Sequence, residues 1–566
     1  MFRPEHPNPQ CRRENWRNLN GTWEFDFDFG RSGRARKLHE GGTLTKKIEV
    51  PFCPESRLSG IGYTDFIPAV WYRRTFSVSE AERSGRVLLH FGAVDYRTVV
   101  YVNGKEVGSH VGGYVSFTFD ITEALTTGEN TLTVYAEDET RDNLIPSGKQ
   151  CTQYHSCGCS YTRTTGIWQT VWLEFVPTTH IASFRLYPDA ENGTLRVVAD
   201  LVGKGTFAVA ASYDGHPVGA CQKISHGGAC DIEIPLAETH LWEVGCGRLY
   251  DLTLTYGDDT VESYFGLRSL RYADGKFYLN GKSVFQRLVL DQGFYPDGIY
   301  TAPSEEALVA DIHLSMALGF NGARLHEKVF EPRFLYHCDQ LGYLVWGEYP
   351  NWGVDISNPG SLMAMLPEWM EEVKRDFNHP AIVGWCPLNE TWDFDGRRQC
   401  DEVLANIYRV TKAMDDTRPC IDTSGNYHVL TDIFDVHDYD QDPVSFREHY
   451  NLLMTENKLH DKFSERQHWN GKAPVFISEY GGIRWSVDGS GWGYGNAPKT
   501  EEEYKERFRG LADAMLGNDR IFGLCYTQLY DVEQEQNGLY TYAREKKFED
   551  MDFFRTVLSR KAAIED

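Results

Sequence analysis

Apolar and polar residues alternate along the first third of the chain. Period-two alternation, interrupted by Gly, Asn and Asp at hairpin spacing, predicts antiparallel strands. No long helical period interrupts the pattern, so we predict a jelly-roll β-sandwich over residues 1–180. The stretches that carry the alternation are GTWEFDFDFG, VWYRRTFSV, RVLLHFGAVDYRTVVYVNG, SFTFDIT and NTLTVYAED.

The next ninety or so residues alternate in the same way but in shorter runs. Their strand candidates are ASFRLYP, TLRVVADLVG, TFAVAASYDG, CDIEIPL and LYDLTLTYG. This length and strand spacing are typical of an immunoglobulin-like β-sandwich, which we predict over residues 181–267.

From residue 268 to residue 566, strand-like runs alternate with helical stretches. One helix candidate, SEEALVADIHLSMALG, opens on Ser304 as N-cap and closes on Gly319. Eight βα units over these residues predict a TIM (β/α)8 barrel, whose active site lies where the strands end. The chain is therefore expected to be a multidomain β plus α/β protein. The eight strand candidates are SVFQRLVLDQ, FNGARLH, YLVWGEYP, IVGWCPLNE, RPCIDTSG, FDVHDYD, PVFISEYGG and IFGLCYTQLYD.

Charge and composition narrow the range of partners. The chain has 82 acidic against 57 basic residues, a formal net charge of −25, which disfavours nucleic acid and anionic membranes as partners. The N-terminal stretch MFRPEHPNPQCRRENW lacks the apolar core of a secretory signal, and no run reaches 18 apolar residues. Thirteen scattered cysteines in such a chain predict reduced thiols and a cytoplasmic location.

One cysteine cluster offers candidate metal ligands. The stretch CTQYHSCGC brings together Cys151, His155, Cys157 and Cys159. The spacing matches no common zinc template, so the cluster is either an unusual metal site or a loop with free thiols, and the loop is favoured.

Two glutamates follow predicted barrel strands. Glu390 ends VGWCPLNE on the fourth strand, and Glu479 lies in VFISEYGG on the seventh. In a barrel, both side chains are expected to reach the same mouth from nearly opposite sides. A single strand-end glutamate is usually a solvated or capping group, but two carboxylates facing each other across a pocket are the apparatus of glycoside hydrolysis.

Other polar and aromatic residues follow the same strand ends and are expected to bind sugar hydroxyls. The aromatic candidates for stacking on a sugar, or for packing loops, are Trp352, Trp392 and Trp485. The polar candidates are Arg324, His326, Glu348, Asn389, His437, Tyr439, Tyr526, Gln528 and Asp531.

Four stretches together resemble glycoside hydrolase family 2. They are TTGIWQTVWLE (164–174), NHPAIVGWCPLNE (378–390), VFISEYGG (475–482) and YTQLYDVEQEQNGLY (526–540), set in the family's three-part order. The resemblance implies a retaining, two-step, exo-acting mechanism without cofactor or metal.

The resemblance also implies residue roles. Glu390 would be the general acid/base and Glu479 the nucleophile. Asn389 would bind the sugar 2-hydroxyl, Tyr439 would hydrogen-bond the nucleophile, and Arg324 would keep Glu479 ionised. The two carboxyls would lie about 5–5.5 Å apart. Members are often dimers or tetramers, so a homo-oligomer is expected.

Departures from the family pattern bear on the sugar. In the β-glucuronidase branch of the family, an Asn-x-Lys-Gly motif binds the uronate carboxylate. At the matching position this chain has EQNG (535–538). The family's first-domain Asp corresponds to Ser160, and its His after the first barrel strand corresponds to Gln292, beside Asp291. The family's second-strand Arg-x-Ser-His pattern reads RLHEK (324–328) in this chain.

These departures leave the substrate open. A β-galactosidase-type enzyme is expected first. The alternatives are an α-L-arabinofuranosidase or β-D-galactofuranosidase, a β-glucuronidase or β-galacturonidase, and a β-mannosidase. A non-catalytic carbohydrate-binding protein would have lost a glutamate, and a metal-dependent barrel enzyme would need a His/Asp ligand set, so both are disfavoured.

Overall fold

A computed structural model describes residues 2–486 and 489–565. Short alternating strands occupy its N-terminal part, as the pattern predicts. They are β1 (Trp16–Asn18), β2 (Gly21–Phe27), β3 (Lys46–Val50), β4 (Ala69–Val78), β5 (Arg86–Phe91), β6 (Val94–Asp95), β7 (Arg97–Val102), β8 (Lys105–Val111), β9 (Phe117–Asp120), β10 (Gly128–Glu137), β11 (Gly166–Ile167) and β12 (Val171–Val176).

Ten of these strands form two antiparallel sheets packed face to face, and β6 pairs with β11 as a separate two-stranded sheet. One has the order β1-β12-β5-β9 and the other β3-β2-β4-β10-β7-β8. Along β5, Val87, Leu89 and Phe91 are buried and the residues between them are half-exposed, so one face of each sheet enters a common core. Four short 3-10 helices lie in the connections, at Leu38–Glu40, Arg57–Ser59, Glu82–Ser84 and Thr122–Ala124.

A second, smaller sandwich follows. Its sheets have the orders β13-β14-β17 and β16-β15-β18-β19. Alternate residues of β14, from Leu195 to Leu201, are buried in its core. Its strands are β13 (His180–Asp189), β14 (Thr194–Val202), β15 (Gly205–Tyr213), β16 (His216–Ser225), β17 (Gly228–Pro235), β18 (Leu249–Tyr256) and β19 (Asp259–Gly266).

The rest of the chain is a barrel. A small antiparallel sheet of β20 (Leu270–Ala273), β21 (Lys276–Leu279) and β22 (Lys282–Ser283) precedes it. The barrel strands are β23 (Gln286–Asp291), β24 (Gly322–Leu325), β25 (Leu344–Glu348), β26 (Ile382–Cys386), β27 (Phe434–Asp438), β28 (Val475–Gly481) and β29 (Ile521–Thr527). The helices are α1 (Glu305–Ala317), α2 (Pro332–Leu341), α3 (Ser361–Asp376), α4 (Asp401–Met414), α5 (Pro443–Glu456), α6 (Glu501–Leu516) and α7 (Asp552–Leu558).

The parallel strands run in the order β26-β25-β24-β23-β29-β28-β27, which is the neighbour order of a TIM barrel. The predicted fifth strand, RPCIDTSG, lies between β26 and β27 but makes only two isolated parallel bridges, Trp385 to Cys420 and Asn389 to Ser424. Pro419 has no N–H to donate there, and Asp422 accepts the backbone N–H groups of the following loop instead of leaving them to a ladder. The TIM-barrel prediction is confirmed, with an irregular fifth strand.

Helix α1 begins as its sequence predicts. The Ser304 hydroxyl accepts the N–H of Ala307, and Gly319 takes a positive φ just beyond the helix. In the parts of the chain that the structure describes, no helix combines the length and apolar character needed to span a membrane.

Candidate active site

Glu390 and Glu479 lie opposite each other at the C-terminal ends of the barrel strands. Glu479 is in β28, and Glu390 follows β26, where its N–H donates to the carbonyl of Ser424 at 2.8 Å. One carboxylate oxygen of each lies within 4.8 Å of the other. The Glu479 side chain is 5% exposed and that of Glu390 is 22% exposed, so Glu390 is the one that can exchange protons with water.

Arg324, from β24, is the central cation of the site. It donates to Glu479 at 3.1 Å, to Glu348 at 2.5 Å and to the side-chain oxygen of Asn389 at 3.1 Å. It is 1% exposed. It also donates to the Ser478 carbonyl at 2.8 Å, and a buried guanidinium with four such acceptors fixes the positions of all of them.

The second oxygen of Glu479 accepts a hydrogen bond from the hydroxyl of Tyr439. The Tyr439 ring stacks on Tyr494 with 3.6 Å between centroids and 7° between planes. Both oxygens of Glu479 are thus held, one by a cation and one by a neutral donor, which fixes the orientation of the carboxylate.

His437, from β27, lies between the two glutamates. Its Nδ1 is 2.7 Å from Glu390 Oε1, and its Nε2 is 3.4 Å from Glu479 Oε1. Nε2 is also 2.9 Å from the hydroxyl of Ser424, which itself donates to Asp435 at 2.6 Å. Because that hydroxyl's proton is used on Asp435, His437 Nε2 is the donor to Ser424.

The pKa values of His437 and Glu390 are shifted in opposite directions. Burial lowers the pKa of His437, but the charge of Glu479 and the hydrogen bond and charge of Glu390 raise it above its ordinary value. Burial raises the pKa of Glu390, but the hydrogen bond and charge of His437 bring it below its ordinary value. Both shifts favour an ion pair between the imidazolium of His437 and the carboxylate of Glu390 across their 2.7 Å contact.

Glu348 and His326 support Arg324 from behind. Burial raises the pKa of Glu348 to about 7, against the opposing effect of Arg324. His326 Nδ1 is 3.3 Å from Glu348, and burial, with the charges of Lys149 and Arg324, lowers the pKa of His326 well below its usual range. His326 is therefore neutral.

Asn389 has a side-chain donor left over. Its backbone is clamped by Asn351, which accepts the Asn389 N–H at 2.6 Å and donates to the Asn389 carbonyl at 3.1 Å. Its Nδ2 is buried and has no partner among the described residues. A buried, unpaired amide beside two carboxylates is what binding of a sugar hydroxyl requires.

A chain of side-chain hydrogen bonds runs from the first barrel strand to the first sandwich. Gln292 donates to Gln528, which donates to Asn537, which donates to Glu535, at distances from 2.9 to 3.0 Å. Glu535 also accepts from the Tyr161 hydroxyl at 2.5 Å. Gln292, Gln528 and the EQNG turn, separated in sequence, are thus brought together.

The three tryptophans separate in space. The Trp352 indole N–H donates to the Asn389 carbonyl at 3.2 Å, beside the carboxylates. Trp392 is 50% exposed and makes edge contacts with Tyr427 and Phe463 at the rim. Trp485 packs on Tyr504 and Phe548, so it is a packing residue.

Four other candidates are not brought to the carboxylates. Tyr526 points outward from β29, with its hydroxyl 2.6 Å from that of Tyr504 on α6. Asp291 accepts from Tyr530 at 2.5 Å and from the Gly293 N–H. The described contacts of Asp531 are to the ammonium of Lys547 and the N–H of Gly538, and those of Ser160 are through its backbone, whose carbonyl accepts from Gln534.

The cysteine cluster does not assemble a zinc site within the described ranges. Cys151 Sγ is 3.6 Å from Cys157 Sγ, but it meets the backbone carbonyl of His155 and not the ring. All thirteen cysteines are free thiols.

A second group with metal-ligand atoms lies behind β27, formed by Asp438, His449 and His460. The two imidazoles stack in parallel, 3.8 Å between centroids and 5° between planes, so their lone pairs do not converge. The ammonium of Lys462 lies 3.5 Å from Asp438. These residues do not fit a metal ion.

Sequence reasoning missed three residues near the carboxylates: Lys149, Glu327 and Tyr494. Lys149 comes from the first sandwich, and nothing in Gly-Lys-Gln marks it. Glu327 has a positive φ of 49° directly after His326, so only the backbone conformation distinguishes it.

Two family models match the chain. One, described as a glycosyl hydrolase 2 galactose-binding domain-like domain, matches residues 46–167. The other, described as the TIM barrel domain of glycosyl hydrolases family 2, matches residues 270–510. The chain belongs to glycoside hydrolase family 2. At residues 535–538 it has EQNG where the β-glucuronidase branch has Asn-x-Lys-Gly.

Curated relatives carry two activities in their names. A relative from Formosa agariphila, named provisionally as a β-glucuronidase, is 28% identical over 378 residues, 62% of this chain and 44% of that protein. A β-galactosidase of Thermoanaerobacter pseudethanolicus is 27% identical over 69% of this chain and 53% of that protein. The chain spans about half the length of these two. The β-glucuronidase of Sus scrofa is 25% identical over 85% of this chain and 79% of that protein.

Solved structures confirm the architecture. A β-glucuronidase from Ruminococcus gnavus, in complex with a uronic isofagomine, has a TM-score of 0.81 at 18% identity, covering 99% of this chain and all of that one. A Lactobacillus rhamnosus β-glucuronidase has a TM-score of 0.80 at 20% identity over 98% of this chain. At these identities the likeness establishes the fold.

Proposed function

We propose that this family 2 member is a retaining, exo-acting glycoside hydrolase in which Glu479 is the nucleophile and Glu390 the general acid/base. The observation that carries the proposal is the approach of the two carboxylates, with one oxygen of each within 4.8 Å of the other. Retaining enzymes hold their carboxyls about 5–5.5 Å apart, whereas inverting enzymes need about 6.5–9.5 Å to admit a water.

The first step forms a glycosyl-enzyme. Glu479, positioned by Arg324 and Tyr439, attacks the anomeric carbon as a carboxylate while the bond from that carbon to the leaving oxygen breaks. Glu390 gives its proton to that oxygen, and the proton reaches Glu390 from His437 Nδ1, which is 2.7 Å away. Asn389 Nδ2 donates to the 2-hydroxyl, a contact that strengthens in the transition state.

The second step releases the sugar. A water takes the place of the leaving group and loses a proton to ionised Glu390. Its oxygen attacks the anomeric carbon and displaces Glu479 as a carboxylate. Two inversions return the starting anomeric configuration, and the proton on Glu390 is available for the next turnover.

Coverage of the site by the first sandwich supports exo action. Gln534, from the barrel, donates to the carbonyls of Gly158 and Ser160, and Trp492 donates to that of Gly158. This loop of the sandwich is thereby attached to the segments that follow β28 and β29, at the C-terminal ends of the barrel strands. A domain docked at these strand ends favours a terminal sugar over a polysaccharide running across the barrel.

The comparisons shift the order of candidate sugars that the sequence suggested. Structures that resemble the chain over its whole length carry β-glucuronidase titles, which favours a β-glucuronide over the β-galactoside expected first. A β-galactoside is the second candidate, because a β-galactosidase is among the relatives. Furanosides and mannosides follow.

Azide rescue of two variants tests the roles of the glutamates. On dinitrophenyl glycosides, whose leaving group needs no acid, Glu390→Ala should still form the glycosyl-enzyme, and azide should then give the β-glycosyl azide. Glu479→Ala should lose activity and, with azide, give the α-glycosyl azide, because only one displacement remains. Product anomers are read by NMR, and the matched control is Glu402→Ala, whose side chain is 80% exposed on α4.

Glycosides of glucuronate, galacturonate, galactopyranose, galactofuranose, arabinofuranose and mannose form the substrate panel. Full activity of Glu479→Ala on a sugar that the native protein cleaves would refute the assignment. An α-azide from the Glu390 variant would reverse it.

A further inference from the structure

The first sandwich places a buried ammonium beside the catalytic carboxylates. Lys149 is 4% exposed. Its Nζ lies 3.8 Å from the ring centroid of Trp352, whose indole N–H is bonded to the Asn389 carbonyl. Burial lowers the pKa of Lys149, but the charges of Cys159, Glu535, Glu327 and Glu479 raise it above its ordinary value. These shifts favour the ammonium form, whose charge in turn lowers the pKa of Glu390.

This ammonium has no ionic partner in residues 2–486 or 489–565. No carboxylate oxygen there lies within 4 Å of Lys149 Nζ, and Nζ donates no hydrogen bond to a described atom. The other two buried lysines behave differently. Lys547 pairs with Asp531 at 2.7 Å, and Lys328 donates to the carbonyls of Gly293 and Tyr300 at 2.5 and 2.8 Å. A lysine that is buried without a partner is rare, because desolvating an unpaired charge is costly.

The acidic groups nearest to Lys149 are engaged elsewhere. Glu535 accepts from Tyr161 at 2.5 Å and from Asn537 at 3.0 Å, and burial raises its pKa. Glu327 accepts the Trp352 N–H at 3.1 Å, and burial raises its pKa well above the usual range. Both carboxyls thus accept hydrogen bonds from other donors, and neither forms an ion pair with Lys149.

Lys149 lies near the proposed nucleophile without pairing with it. Its ammonium lies beyond ion-pair distance of Glu479, yet close enough for that charge to raise its pKa. Trp352 connects the cation to the site, because its ring contacts Lys149 and its indole N–H donates to the Asn389 carbonyl. A substrate bound between the ammonium and the carboxylates would present its far side to Lys149.

We propose that Lys149 binds the carboxylate of a hexuronic acid, so that the terminal sugar of the substrate is a hexuronide. This rests on the proposed function. A carboxylate supplies both the hydrogen-bond acceptor and the negative charge that the buried ammonium lacks, whereas a neutral hydroxyl supplies only the acceptor. The EQNG turn has no cation at the place of the family's lysine, and Lys149 delivers one from a different domain.

Two inhibitors that differ by one carboxylate test the proposal directly. Uronic isofagomine and neutral isofagomine are titrated calorimetrically into the native protein, Lys149→Met and Lys149→Arg. The native protein should prefer the uronic compound. Lys149→Met should lose affinity for it on the order of 100-fold, with a far smaller loss for the neutral compound, and Lys149→Arg should recover part of the preference.

The control is Lys47→Met, an exposed lysine on β3. Circular dichroism and thermal unfolding check that each variant is folded. If Lys149→Met does not fold, the outcome rests on Lys149→Arg and the native preference. A native protein that binds both compounds equally, or a folded Lys149→Met that loses both equally, overturns the proposal.

Turnover measurements distinguish the Lys149 proposal from the proposal that the protein is a retaining glycoside hydrolase. If the native protein cleaves neutral glycosides in a Glu479-dependent way and ignores the carboxylate, the hydrolase proposal stands and the Lys149 proposal falls. If Glu479→Ala leaves hydrolysis intact while Lys149→Met selectively loses the uronic inhibitor, the catalytic assignment falls and Lys149 remains an anion-binding residue.

Discussion

At the scale of single residues, the site depends on where one proton resides. His437 touches Glu390 at 2.7 Å and approaches Glu479 at 3.4 Å, so an imidazolium there balances two carboxylates. It lowers the pKa of Glu390 and has its own pKa raised. The pair titrates as a unit, and its proton is lost as pH rises through the raised pKa of the histidine.

Replacing His437 with asparagine should move the alkaline limb of the pH profile of kcat/KM to lower pH. In the native protein that limb reports a histidine whose pKa is raised from about 6.5, and in the variant it reports Glu390, whose ordinary pKa is about 4.3. Once the imidazolium is gone, burial raises the pKa of Glu390, but that pKa starts from a lower ordinary value than the pKa of histidine. We also expect a loss of about 10²-fold at neutral pH, typical of impaired acid catalysis.

The pH profile is measured with a poor and a good leaving group. The loss should nearly vanish for a dinitrophenyl leaving group, which needs no protonation. An unchanged alkaline limb in His437→Asn would contradict the proton-holding role. Tyr439→Phe is the comparison, because it contacts Glu479 and leaves the Glu390–His437 contact in place.

At the scale of elements, a buried ionic cluster holds β27 against the irregular fifth strand. His428 Nδ1 is 2.7 Å from Asp422, and its Nε2 is 3.0 Å from Asp435 of β27. Asp435 also accepts from Ser424, the residue that accepts from His437. The cluster compensates for the missing ladder between these segments and orients the histidine of the site.

The stability supplied by His428 should depend on pH. Burial lowers its pKa, but hydrogen bonds and charges of Asp422 and Asp435 raise it to about 10. The contribution of His428 to folding stability is therefore complete below about pH 6.5, the pKa of histidine in the unfolded chain, and is lost as pH rises through about 10. Burial raises the pKa of Asp435, but His428 lowers it to about 2, so that contribution is present above about 3.9 and is lost as pH falls through about 2.

His428→Gln should accordingly lower the unfolding midpoint most between about pH 4 and pH 6.5, by the equivalent of about 3–5 kcal/mol. The difference in unfolding midpoint between the variant and the native protein should become smaller toward pH 10. Differential scanning calorimetry across this range measures it, with the exposed His216→Gln as control. A difference that stays constant with pH would refute the ionic account.

At the scale of the whole molecule, Arg13 ties the two sandwiches together. It donates to Asp259 of β19 through two nitrogens at 2.9 Å each, and to Glu174 of β12 at 2.9 Å. It is 5% exposed. The sandwiches are thereby joined by a buried charge with two partners, and the position of the first sandwich determines where Lys149 lies.

Arg13→Met should destabilise the protein by about 3–5 kcal/mol, because it leaves Glu174 and Asp259 buried without their cation. The neighbouring Arg12→Met is the matched control. Arg12 pairs with Glu262 at 3.3 Å, but both side chains are more than half exposed, so the loss should be about 0–1 kcal/mol. Thermal unfolding measures both, and equal losses would contradict the difference in burial.

The order of strands and helices, and the two glutamates at strand ends, follow from the sequence itself. Alternation and helical period are local, and a TIM barrel brings all its strand ends to one face, so Glu390 and Glu479 could be placed together without coordinates. Arg324, Glu348, Asn389, His437 and Tyr439 were found in the same way.

Tertiary structure alone decided which face of each strand a side chain uses and what another domain contributes. Both faces of a barrel strand are buried and apolar, so the pattern could not tell that Tyr526 faces α6 while Glu479 faces the mouth. Lys149 lies in another domain, and its contact with Trp352 depends on how the domains dock. Proximity across domains is set by packing of whole surfaces, which no local periodicity encodes.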